Sequence, residues 1–283
     1  MTVSTVPAQY FLRRRGLANG IVYAGGGVGG AVISLVLEKL LVALGPAWTF
    51  RLIGMLTLVT GLPAAYLVRE RSPSGRKKFV EWALFRSLKF DLLFVAGVAA
   101  TFPLFVPPFF LPLYCQSIGL SSAIGAAMVA AFNFSSAIGR ITLGMTSDRF
   151  GPLNSLVLSL FLSGISMLAL WPLSSSIAPL VAFVVINGAA NGGFFAVMPT
   201  VVGSVFGSDL VAVTMGMIVT GWAGGYLMGG PIAGYLLQAF GGAGHGISAY
   251  RPAMYYAGSM AMGAAILVAL VRLRIDHRLI KRV

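Results

Sequence analysis

The sequence predicts an all-α integral membrane protein of about eight transmembrane helices, and three observations carry that prediction. Hydrophobic residues fill 58% of the 283 positions, charged residues only 10%, and the mean hydropathy is +0.90. A soluble domain carries roughly a quarter charged residues, so the apolar surplus exceeds what a single core absorbs. Charge-free stretches of about 20 residues recur along the chain, the length that crosses a ~30 Å hydrocarbon layer at ~1.5 Å per residue. Lipid offers the backbone no hydrogen bonds, so such spans are helices. The ~10-residue alternating segments of a membrane barrel are missing from the sequence.

The first span runs from Leu17 to about Leu37 and the second from about Trp48 to Val68. The third covers Leu92 to Tyr114 and holds Pro103, Pro107, Pro108 and Pro112. Each proline removes a backbone donor and invites a bend, which serves either a midplane site or plain packing. The fourth covers Ile118 to about Met145, the fifth Leu153 to Trp171, and the sixth Ile177 to Gly203. The seventh, Leu210 to Phe240, is the longest, which predicts an extension past the lipid or a tilt. The eighth is Pro252 to Val271.

Between the second and third spans lies the only sizeable polar stretch, Arg69 to Lys89. Its Ser, Pro and Gly followed by a basic run predict a linker, ending in an amphipathic interfacial helix around Phe79, Trp82 and Phe85. The chain therefore divides into residues 1–68 with two helices, a linker over 69–89, a six-helix bundle over 90–272 and a basic tail over 273–283.

A formal net charge of +13 raises nucleic acid as a partner, but the placement of the charge argues for membrane topology. Sixteen Lys and Arg residues fall in the loops and tail on the side of the termini, among them Arg13, Arg14, Arg15, Arg76, Lys77, Lys78 and Arg149. Only Lys39, Arg51 and Arg251 fall on the opposite side. By the positive-inside rule both termini are cytoplasmic. The lone Cys115 allows no intramolecular disulfide. No apolar segment with a cleavage site precedes the first span, which would itself target the chain.

Small residues crowd several spans. Gly25/Gly29 and Gly26/Gly30 in the first, and Gly221/Gly225, Gly225/Gly229 and Gly230/Gly234 in the seventh, stand four apart on one helix face. Such faces let neighbouring backbones approach closely, as tight packing or as sliding gates. Gly25, Gly27 and Gly30 also match G-x-G-x-x-G, but no strand precedes them and no acidic residue follows at the required distance. The nucleotide reading is dismissed, and no cofactor is predicted.

Arg140 is the clearest charge inside a span, about two turns before Asp148 and Arg149. Intramembrane charges are costly and usually functional. Two readings fit: a guanidinium that grips a substrate carboxylate with two parallel bonds, or a side chain that snorkels to the headgroups. Gly144, Asp148, Arg149 and Gly151 form G-x-x-x-D-R-x-G, a tight turn whose carboxylate is suited to cap a neighbouring helix N-terminus. A gating latch is predicted there. Asn187 and Asn191 lie one turn apart, and with Asn133 they serve either a polar cavity or interhelical hydrogen bonding. Glu38, Asp91 and Asp209 fall at span ends, and His245 and His277 in a loop and the tail. No catalytic set and no metal-ligand cluster emerges, so an enzyme is not predicted.

The stretch YFLRRRGLANGIVYAGGGVGG, with Tyr10, Phe11, Arg14, Arg15, Leu17, Ala18, Gly20 and Gly25, resembles the signature leading into the fifth helix of monocarboxylate-transporter-like members of the major facilitator superfamily, fungal members above all. The turn GMTSDRFG resembles the superfamily's loop motif, although Pro152 and Leu153 stand where basic residues often follow. The resemblance implies helices five to twelve of a twelve-helix pattern, the first four lacking, so that this chain would not complete an alternating-access cycle alone. It further implies a secondary transporter of small organic anions such as monocarboxylates, with proton symport and a plasma-membrane location as family defaults. Arg140 matches the family's carboxylate-binding arginine, and Asn133, Ser136, Asn187 and Asn191 complete the expected substrate-binding set. Mammalian members carry an Asp at the place of Ser136, which weakens the case for proton coupling by the same route. The expected partners are the lipid bilayer and a small organic anion. The competing reading is a non-transporting regulatory protein that pairs with another membrane protein through its glycine faces.

Overall fold

The computed structural model describes residues 10–11, 14–68, 80–207 and 210–275. Arg13, most of the predicted linker with Phe79, Asp209, His277 and the end of the tail lie outside the described residues, as does the side chain of Glu38. Among the described residues all regular structure is helical, and eight segments are long and apolar enough to cross a membrane.

Helix α1 (Arg15–Leu67) carries the first two spans as two arms meeting at Gly45, whose φ of 71° and ψ of 170° break the helical path. Only glycine takes up that φ without a steric cost, and Pro46 then opens the second arm with its φ already set. The arms enclose a small apolar cleft of about 160 Å³ lined by Val32, Val36, Leu52, Ile53 and Leu56. The second arm is almost wholly exposed, as a helix bathed in lipid or awaiting neighbours would be.

The third span consists of two helices end to end, α2 (Leu88–Leu104) and α3 (Val106–Ser117), broken at Phe105. Pro107 and Pro108 open the first turn of α3, where their missing N–H groups leave the least unsatisfied. Then follow α4 (Ser122–Phe150), α5 (Pro152–Ile165), α6 (Ile177–Phe206), α7 (Val211–Ala239) and α8 (Ile247–Ile275). A π-turn over Ser166–Leu170 extends α5, its Trp171 amide reaching back to the Ser166 carbonyl at 2.9 Å.

Two details differ from the sequence reading. The seventh span is not the longest: α7 has 29 residues, matched by α4 and α8 and exceeded by the 30 of α6. Apolar runs end at the first polar residue, whereas the hydrogen-bonded helix continues past it into the interface. In place of an amphipathic helix, the linker ends in one 3-10 turn, Trp82–Arg86. There the Phe85 ring is held edge-on against Phe90 of α2 at 4.9 Å and 89°.

From α2 onward the helices form a bundle with two stacked apolar cores. One, at the end bearing Asp148, centres on Phe90, Leu93, Leu153, Val201, Ile218 and Val268. The other, towards the opposite end, centres on Val106, Leu111, Tyr114, Met167, Trp171, Phe183 and Met254. Close backbone approaches hold the helices in place. Gly139 and Gly192 bring α4 and α6 together at Ala189 and Ser136, and Gly221, Gly225 and Gly229 of α7 lie against Phe94, Thr101 and Phe102.

Candidate functional site

The site is built where the first arm of α1 runs antiparallel to α4. Gly16 faces the Gly144 carbonyl and Gly20 the Arg140 carbonyl, so a side chain at either position would collide with backbone. At Gly27 an added Cβ would stand 2.8 Å from the Ala137 Cβ. Gly25 and Gly29 face open space, so the predicted Gly25/Gly29 pair is not the packed face. The strip that meets α4 is instead Gly16, Gly20 and Gly27, joined by buried Ala24, while Gly26 and Gly30, the other predicted pair, face the Arg140 and Asn133 side chains.

At one end of this strip, Asp148 accepts the Gly16 N–H on Oδ1 and the Leu17 N–H on Oδ2, both at 2.9 Å. These are donors the helix itself leaves free, at the end where its dipole favours negative charge. Gly151, at φ 98°, closes α4, and Pro152 starts α5 directly after it. Beside the cap lies a surface cavity of about 400 Å³ lined by Arg14, Leu17, Met145, Asp148 and Arg149. Tyr10 and Phe11 are exposed, Ala18 donates to the Arg14 carbonyl at 3.0 Å, and the Nε of Arg15 is buried with no hydrogen-bond partner.

Eight residues inward from Asp148, about 12 Å along the axis, Arg140 turns towards neighbouring helices rather than along its own. Its Nη1 donates to the Tyr23 carbonyl of α1. Its guanidinium carbon stands 5.5 Å from the Phe195 ring centroid of α6, and its Nε is buried without a partner. The Phe195 ring in turn meets Trp222 of α7, so residues of α1, α4, α6 and α7 converge here.

The other predicted residues do not all join this point. Asn133, two turns further along the same face of α4, donates to Ser34 Oγ at 3.2 Å, and that hydroxyl donates to the Gly30 carbonyl at 2.7 Å. Ser136 is buried where α4 meets Gly192 of α6. Asn187 faces α5, donating to Ser166 Oγ at 2.8 Å and to the Ser163 carbonyl at 3.2 Å, and its Oδ1 is buried unpartnered. Asn191 donates to the Leu104 carbonyl at 2.8 Å. The residue four ahead of Leu104 is Pro108, which has no N–H to offer, so Asn191 fills the bond that the break leaves open.

Sequence reasoning missed the ring beside Arg140, Phe195, and the rings that follow it, Trp222, Tyr226 and Phe105. The one-turn spacing of Trp222/Tyr226 and Phe105/Phe109 was a usable signal. It also missed the buried contact of Asn19 with Thr200, whose Oγ1 accepts from Nδ2 at 3.3 Å and ties α1 to α6. Among the described residues, no group of three His, Cys, Asp or Glu is placed to hold a metal ion.

Comparison with known proteins follows the same lines. The family model described as Major Facilitator Superfamily matches residues 1–133 and 93–282. The aspyridones efflux protein of Emericella nidulans is 33% identical over 239 residues, covering 83% of this chain and 48% of that protein. An MFS-type transporter of Gibberella moniliformis is 30% identical over 269 residues, covering 94% of this chain and 63% of its own. The transporter pynF of Aspergillus niger is 29% identical over 269 residues, at 93% and 60%. The chain thus spans about half to three-fifths of the length of these relatives.

Proposed function

This chain belongs to the major facilitator superfamily, and on that premise we propose that it serves secondary transport of small organic anions, monocarboxylates among them, by alternating access. The observation that carries the reading is Arg140: a half-buried guanidinium at the junction of α1 and the bundle, its Nε unpartnered. A half-buried cation in that setting can pair with a carboxylate, and a pair formed away from water is stronger than one in it. Asn133 lies two turns away on the same helix face, a second polar group at the α1–α4 junction.

Several relatives are named efflux proteins, which supports export as the direction. The membrane we propose is the plasma membrane, with both termini in the cytoplasm and the Asp148 cap as the inner latch. Proton coupling would need a route other than the Ser136 position. We also propose that the 283 residues work within a longer carrier, because the second arm of α1 is exposed and the relatives are longer.

A second reading, a non-transporting partner of another membrane protein, draws on that same exposed arm. Flux of a labelled monocarboxylate across vesicles carrying the native product tests the choice, run beside a blot of native membranes with an antibody against the tail. Transport is expected to be lost in Arg140→Ala and kept in Arg251→Gln, a change at an exposed arginine remote from the site, and the native product should exceed 29.7 kDa. Transport untouched by Arg140→Ala would sink the anion reading. A 29.7 kDa product with no flux, co-purifying with an intact carrier, would favour the partner reading.

A further inference from the structure

Five aromatic rings run in a row from Arg140 across three helices. Phe195 lies under the guanidinium and meets Trp222 at 6.2 Å and 77°. Trp222 meets Tyr226 at 6.2 Å and 72°, and Tyr226 meets Phe105 edge-on at 5.2 Å and 66°. Phe105 stacks on Phe109 at 5.7 Å and 21°.

The row differs from the protein's packed aromatic pairs. Trp171 and Phe183, stacked at 4.8 Å, are sealed inside the second core. Along the Arg140 row the rings beyond Trp222 are open instead: exposure is 4% at Trp222, 37% at Tyr226 and 60% at Phe109, while Phe195 and Phe105 are partly buried. One end is a cation with an unpartnered Nε and the other an open aromatic surface. Rings near 5 to 6 Å apart offer alternating faces and edges, which suit a third flat ring and gain little from a short flexible chain. The break at Phe105 brings α3 into the row, since a straight helix would carry Phe105 and Phe109 on a different path.

We infer that this row sets specificity for organic acids whose body is a flat aromatic or conjugated system, over short aliphatic acids of the same charge. The inference rests on Arg140 as the anion anchor. The acid group sits on the guanidinium, and the flat body extends from it along the row towards Tyr226, Phe105 and Phe109. Trp222, nearly buried, backs the row from behind.

The test is equilibrium binding to the full chain in lipid nanodiscs, with three probes: 2-naphthoate, butyrate and the uncharged 2-naphthalenemethanol. Wild type should bind 2-naphthoate about tenfold more tightly than butyrate, the scale of two added aromatic contacts. Tyr226→Leu combined with Phe105→Leu should bring that ratio to about two while leaving butyrate affinity unchanged. Arg140→Gln should weaken both acids and leave the alcohol as it was. A wild-type ratio near one, or a ratio unmoved in a variant of normal helix content, would overturn the inference and leave the anion anchor standing. The row would then be lipid-facing or packing aromatics. Failure of wild type to bind either acid would overturn both. The wild-type ratio alone decides if the double variant does not fold.

Discussion

Asp148 shows how much one side chain can determine in a membrane helix pair. Its two oxygens satisfy the amides of Gly16 and Leu17, the former 132 positions earlier in the chain. Replacing an N-terminal capping side chain with alanine costs on the order of 1–2 kcal/mol, and a charged acceptor sits at the upper end. Asp148→Ala should therefore lower the thermal midpoint in detergent, with Asp148→Asn, which keeps one acceptor, falling between. Equal midpoints for all three proteins would remove the cap from the stability argument. The role was legible in the sequence because a carboxylate after Gly144 and before Gly151 at a tight turn has few other uses. The direction taken by Arg140 was not. Snorkelling and inward pairing need the same residue at the same depth, and only the Tyr23 carbonyl and the Phe195 ring, both distant in sequence, separate them.

At the scale of elements, the break between α2 and α3 is compensated by a side chain of another helix. Four prolines predicted a bend in this span, and the chain breaks at Phe105. What the prolines do not reveal is where the freed carbonyl finds its donor, since Asn191 is 87 positions away. A buried carbonyl left without a partner costs about 1–3 kcal/mol, so Asn191→Ala should destabilise the bundle by that order. Pro108→Ala should relieve the loss by restoring an N–H to the Leu104 carbonyl. The pair should be strongly non-additive in a double-mutant cycle of denaturant unfolding. Additive losses would mean that the Asn191 bond and the proline break act independently. The span boundaries themselves were readable within a few residues, because hydrophobic length is a property of the segment alone. The helical extensions into the interface were not, because they carry polar residues that a hydropathy reading counts as loop.

For the whole molecule, the question is what joins the α1 arms to the bundle. Within lipid, hydrophobic burial contributes little to helix association, so close packing of small residues and interhelical hydrogen bonds must carry it. The contact surface has both: Gly16, Gly20, Ala24 and Gly27 against α4, and the bonds of Asp148, Arg140, Asn133 and Asn19. Sequence spacing pointed to two small-residue faces in this helix: the Gly26/Gly30 pair faces Arg140 and Asn133 of α4, whereas the Gly25/Gly29 pair faces open space. A glycine-rich helix offers several such faces, and the choice among them belongs to the partner helix. This gives a test of the joint that leaves the bundle untouched. Residues 1–89 and 90–283, expressed as separate polypeptides in one membrane, should co-purify through that surface. Gly20→Leu, which drives a side chain into the Arg140 carbonyl, should abolish co-purification, whereas Gly25→Leu, the same chemical change on another face of the helix, should preserve it. If both variants co-purify like the parent pair, the strip on α4 does not hold the arms, and the polar bonds alone must suffice. If both fail, the face assigned to Gly25 is occupied in the membrane, and the open side of α1 is itself an interface.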